Sequence, residues 1–85
     1  MRLVLIEWQD SYGCGSEWQS LDGYRSKPLL CRSVGWLLHD SDDCKVIVPH
    51  IAGEKNGDAM LLACGDLTIP TSAIVKLVVL KRKRP

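Results

Sequence analysis

Leu29-Leu30-Cys31-Arg32-Ser33-Val34-Gly35-Trp36-Leu37-Leu38-His39, then Asp40-Ser41-Asp42-Asp43, then Cys44-Lys45-Val46-Ile47-Val48-Pro49-His50-Ile51 is the stretch that decides the fold. Two runs rich in β-branched and aliphatic residues flank a polar turn, which predicts an antiparallel hairpin. Gly35 inside the first run marks a bulge or strong bend of the kind small barrels use at their corners. Pro49 has no amide proton to give a ladder, so the second run must end at an edge or leave its sheet there. The acidic residues between the runs read as turn residues, because Asp bonds its own backbone in such positions. A calcium loop would need a downstream Glu to complete it, and none stands at that spacing.

Outward from the hairpin, Arg2 to Trp8 is apolar at both parities, as in a strand packed on two sides or wrapped across a small barrel. Between this strand and the hairpin, residues 9–28 lose periodicity and gain glycines and serines, so a long connection is predicted. Within it, Ser16-Glu17-Trp18-Gln19-Ser20-Leu21-Asp22 suggests one helical turn with Ser16 as N-cap. After the hairpin, Ala52 to Asp58 reads as a second turn, and Met60 to Ile69 as a fourth strand interrupted at Gly65. Pro70-Thr71-Ser72-Ala73 then forms a tight 3₁₀ turn, and Ile74 to Leu80 is the last strand. Five short strands with a long first loop and a 3₁₀ turn before the last strand make the pattern of an all-β, SH3-like small barrel. An OB-like barrel would want a helix between the third and fourth strands, where only a Gly-rich turn stands. The expected organisation is one barrel domain over residues 1–80 and a basic tail at 81–85. Leu5, Val34, Trp36, Val46, Val48, Leu67, Ile69, Ile74 and Val78 are the expected core.

Bulk composition bounds the function. Eighty-five residues, 46% hydrophobic and 25% charged, suit a single globular domain. Eleven basic against ten acidic residues give a net charge of +1, which argues against a general polyanion binder. Lys76, Lys81, Arg82, Lys83 and Arg84 concentrate positive charge at the end, but the run falls short of the ~5–8 consecutive cations of a strong nucleic-acid patch. The apolar start is interrupted by Glu7 and Asp10 before it reaches signal-peptide length, and no apolar run approaches the ~18 residues that span a bilayer. A cytoplasmic protein without membrane association is expected.

Residues that could carry chemistry are sparse. Cys14, Cys31, Cys44 and Cys64 stand 17, 13 and 20 positions apart, without the close pairs that zinc knuckles need, so no metal is expected even counting His39 and His50. In a reducing compartment their thiols stay unpaired, and Cys31 and Cys44 read as small buried hydrophobes. No Gly-x-Ser-x-Gly elbow occurs, and Gly13-Cys14-Gly15 lacks the third glycine and the Lys of phosphate-binding loops. Neither an enzyme nor a cofactor is expected. What remains is aromatic: Trp8, Tyr12, Trp18 and Tyr24 lie in or beside the long first loop, and Trp and Tyr contribute large contact area at little entropic cost. These four are the candidate partner-binding residues. Lys81, Arg82, Lys83 and Arg84 are the candidates for the alternative, a barrel that binds nucleic acid or a small nucleotide.

Ser33-Val34-Gly35-Trp36-Leu37-Leu38, Val46-Ile47-Val48-Pro49-His50-Ile51 and Gly65-Asp66-Leu67-Thr68-Ile69-Pro70-Thr71-Ser72-Ala73-Ile74-Val75 together resemble a group of small, largely uncharacterised proteins encoded by bacteriophages and prophages. The resemblance covers the last two thirds of the chain. It implies a small-barrel framework and a phage or prophage origin, and it carries over no catalytic residue. It further implies an accessory factor that modulates a host or anti-phage defence protein by direct binding in the bacterial cytoplasm, with a homo-oligomer allowed.

Overall fold

The computed structural model describes residues 1–11, 16–24, 27–53 and 61–81. The architecture is all-β. Strands β1 (Leu3–Asp10), β2 (Leu29–Asp40), β3 (Cys44–Val48), β4 (His50–Ala52), β5 (Leu62–Cys64), β6 (Leu67–Pro70) and β7 (Ile74–Val79) follow one another, with a 3₁₀ turn at Thr71–Ala73 before the last. Five of them form one antiparallel sheet in the order β6-β3-β2-β1-β7, and β4 and β5 form a separate two-stranded ribbon. Within the described residues no ladder joins β6 to β7, so the sheet is not closed.

The β2–β3 hairpin follows the sequence reading. Its turn is closed by the Ser41 N–H on the Cys44 carbonyl at 3.0 Å, while the Ser41 hydroxyl donates to the same carbonyl and accepts the Cys44 N–H. Thr71 ties the 3₁₀ turn to this hairpin, its N–H on the Asp43 carbonyl at 3.0 Å and its hydroxyl on the Ser41 carbonyl at 3.1 Å. The chain thus reaches β7 from a fixed point. Pro49 and Gly65 interrupt the next hairpin as expected: they separate β3 from β4 and β5 from β6, and so turn the ribbon out of the main sheet. Gly65 has φ +81°, a backbone conformation that only glycine adopts without strain.

Most of the core lies on one face, and Val48, of the other parity, is fully buried as well. Val4, Ile6, Ile47 and Ile69 are buried together, with Trp8, Leu37, Ala73, Ile74, Leu77 and Val79 packed against them. Register explains the grouping: Val4 pairs with Gly35 and Val79, Ile6 with Ser33 and Leu77, and Trp8 with Cys31 and Ile74. A side chain on Gly35 would meet the Val48 carbonyl oxygen at 3.0 Å and Ile47 Cβ at 3.1 Å, so the missing Cβ lets β3 bend across this face.

The structure corrects several sequence expectations. Of the expected core, Val48 and Ile69 are buried, Leu5, Trp36, Val46, Ile74 and Val78 are half-buried, and Val34 and Leu67 are exposed. Most of the misplaced residues take the other parity, as in the row Val34-Leu5-Val78 and at Trp36 opposite Leu3, a parity on which Val48 is nonetheless fully buried. Both parities of β1 and β2 are apolar, so alternation does not choose between the faces, and Gly35 does. Cys31 and Cys44 are half-buried. The helical turn expected at residues 16–22 does not form. Its apolar residues, Trp18 and Leu21, are exposed, and one turn of helix does not offset its own nucleation cost.

Candidate functional site

The candidate surface is the connection between β1 and β2, entered through Trp8. Near the end of β1, Trp8 is half-buried against the core, and its indole N–H donates to Ser33 Oγ on β2 at 3.0 Å. That bond satisfies the indole donor and fixes the ring between two strands. Trp8 is therefore an anchor of the sheet at the loop's base, with its remaining surface accessible.

Farther along, residues 16–24 are exposed throughout. Trp18 is fully exposed (102%), Leu21 is 85% exposed and Tyr24 is 50% exposed. The segment is shaped by a turn in which the Tyr24 N–H donates to the Leu21 carbonyl at 3.2 Å, with Gly23 at φ 73° in its third position. The Asp22 N–H donates to the Ser20 hydroxyl at 3.3 Å, a local bond that competes with helix. Leu21 and Tyr24 are thus held at the two ends of one turn. Sequence reasoning missed Leu21; the Asp22-Gly23 dipeptide is the signal that locates this turn and puts Leu21 at its first position. Within residues 16–24 the charged groups are Glu17 and Asp22, both acidic.

Tyr12 lies outside the described residues, as do Cys14 and the Gly13-Cys14-Gly15 segment around it. Of the basic candidates, Lys81 is exposed at the end of the last strand, and Arg82, Lys83 and Arg84 lie outside the described residues. His39 and His50 are both exposed. Among the described residues no group of His, Cys, Asp or Glu side chains is arranged to hold a metal ion, and no helix is long and apolar enough to cross a membrane.

Electrostatics elsewhere are modest. Arg32 Nε lies 3.3 Å from Glu7 Oε1 across β1 and β2, and Lys76 on β7 stands opposite Glu7 from the other side. At the β2–β3 turn the hydrogen bond from the Lys45 ammonium to Asp40 holds the Asp40 carboxyl below its ordinary value of 3.8. The Glu7–Arg32 pair flanks the base of the loop, next to Trp8, whereas Asp40 and Lys45 lie at the far end of β2. No family model, curated protein or solved structure matches this chain.

Proposed function

We propose that this chain is a small non-enzymatic binding protein built as an SH3-like barrel, and that it contacts its partner through Trp8, Trp18, Leu21 and Tyr24. The observation that carries the reading is the complete exposure of Trp18, with Leu21 and Tyr24 held on one adjacent turn. Large apolar side chains lose favourable burial when left in water, and aromatic residues so presented are the usual energetic centres of protein interfaces. The SH3-like reading is supported by the strand order β6-β3-β2-β1-β7, by the long connection after β1 and by the 3₁₀ turn before β7. The partner class follows from charge. Glu17 and Asp22 lie beside Trp18 and Leu21, and with Arg25 and Lys27 following them the connection has no net basic character, as suits a protein surface more than a phosphate backbone. Together with the phage resemblance, this supports a host or anti-phage defence protein as the proposed partner, met in the bacterial cytoplasm.

The test is affinity capture from bacterial lysate by immobilised wild type, by Trp18→Ala and by a chain ending at Leu80. A protein retained by wild type and by the shortened chain, but absent with Trp18→Ala, supports the reading. Nucleic acid retained by wild type and released on removal of residues 81–85 would replace it. In that case the salt dependence of binding should flatten by about 0.9 in slope for each phosphate that the shortened chain no longer neutralises.

A further inference from the structure

The stretch from Ser16 to Asp22 carries the end signals of a helix that the chain by itself does not form. Ser16 followed by Gln19 three positions later is a capping box, in which the Gln19 N–H donates to the serine oxygen and the Ser16 N–H donates to the Gln19 side-chain carbonyl. At the other end, Gly23 already stands at φ 73°, the left-handed conformation that terminates helices. Between them the chain takes a different bond, the Asp22 N–H on the Ser20 hydroxyl at 3.3 Å. Residues 17–22 make fewer than two helical turns, too few to offset nucleation unless their apolar side is buried. Trp18 and Leu21 are instead 102% and 85% exposed.

Helical geometry sorts these residues by chemistry. At about 100° per residue, Trp18 and Leu21 fall about 60° apart on one side, with Glu17 about 40° beyond Leu21 and Asp22 about 40° beyond Trp18. Gln19 and Ser20 take the opposite side. The helix would therefore present two large apolar side chains bordered on each flank by a carboxylate. The surface complementary to it is a protein groove with an apolar floor and cations on both rims. Phosphate-bearing partners are disfavoured by both carboxylates.

We propose that residues 16–22 fold into this short helix on docking, with Trp18 and Leu21 entering a basic-rimmed apolar groove of the partner protein. The proposal rests on the reading that this loop meets a protein. The groove supplies the burial that nucleation lacks in the free chain, and folding is coupled to binding. Because Gly23 is already in the terminating conformation, docking has to order only the residues before it.

Ser20 separates this from docking of the turn as it stands. In the helix it faces away from the groove, whereas in the turn its hydroxyl holds Asp22. Affinities are measured by calorimetry between the full chain and the purified protein that wild type retains from bacterial lysate. Ser20→Ala should bind more tightly than wild type and Ser20→Gly more weakly, the two differing about 5-fold, in the order of helix propensity. Ser20→Pro, which removes a helical hydrogen bond and clashes with the preceding turn, should weaken binding on the order of 100-fold. Glu17→Gln combined with Asp22→Asn should weaken binding about 3-fold at about 50 mM salt, and the difference should vanish near about 1 M, where the rim charges are screened. Urea midpoints of all these variants should match wild type, since the positions are exposed. An alanine variant that binds more weakly than wild type, or a proline variant that binds as well, would overturn the helix and leave the partner reading standing. A double carboxamide variant that binds as tightly as wild type at low salt would overturn the basic rim. Retention of no protein by wild type would overturn the partner reading and this proposal with it.

Discussion

At the scale of single residues, Gly35 carries more of the fold than its size suggests. Its neighbours across the bend are backbone and a Cβ, the Val48 carbonyl oxygen and Ile47 Cβ, neither of which can swing aside as a flexible side chain would. Gly35→Ala should therefore destabilise by about 1–3 kcal/mol, the usual cost of overpacking, as measured by urea denaturation. Ile6 is fully buried at the centre of the core, and Ile6→Ala should cost about 2–5 kcal/mol by the same measurement, whereas Val34→Ala, at an exposed position of the other parity, should cost less than about 1 kcal/mol. The reverse ranking would return the core to that other parity. Asp40 gives a pH-dependent contrast. Its carboxyl is lowered by the hydrogen bond from Lys45, so the folded state binds the proton less tightly than the unfolded chain does. The stabilisation is present above the ordinary carboxylate value of 3.8 and is lost as pH falls through the lower folded value. Asp40→Asn should consequently be less stable than wild type at neutral pH and equal to it in strong acid, as followed by thermal melts across that range.

At the scale of elements, the legible parts were those marked by residues with unusual backbone behaviour, restricted in proline and permissive in glycine. Pro49 and Gly65 showed where the long hairpin breaks, and the structure divides it there into β3 and β4, and β5 and β6. The polar run after Asp40 and the Pro70 to Ala73 turn were equally legible, since turn residues act locally and need no knowledge of the rest of the chain. The illegible part was the choice of buried face. Leu3, Val4, Leu5 and Ile6 are all apolar, so β1 alone does not say which pair points inward, and the answer depends on how β3 crosses β2 at Gly35. The helical turn expected from Ser16 failed for a related reason: a local cap signal has little weight where no surface receives the helix's apolar side. Thr71 tests the element scale directly. Its hydroxyl and N–H join the 3₁₀ turn to the β2–β3 turn, so Thr71→Val should remove one of the two bonds at nearly constant volume and lower stability by about 1 kcal/mol. Native-state hydrogen exchange should then show β6 and β7 opening more often than β1 and β2.

At the scale of the whole molecule, the sheet and the β1–β2 connection divide the work. The sheet carries the buried Val4, Ile6, Ile47 and Ile69, and Trp8 anchors its end nearest the loop through Ser33. Residues 16–24 contribute exposed surface in place of core, with Trp18 and Leu21 given up almost entirely to solvent. The sequence pointed to Trp8, Tyr12, Trp18 and Tyr24 because aromatics in a glycine-broken loop either close a barrel or meet a partner, and of these Tyr12 lies outside the described residues. Composition does not separate those two uses, and burial does: Trp8 packs into the sheet and keeps an accessible part, while Trp18 and Leu21 are exposed. The most direct test is to replace Trp18 and Leu21 together by alanine, and to measure both the urea midpoint and the affinity for the protein that wild type retains from lysate. The account predicts a stability within about 0.5 kcal/mol of wild type and an affinity weaker by about 2 kcal/mol or more. A lowered midpoint with unchanged affinity per folded molecule would contradict it, and would make these side chains a structural plug of the sheet.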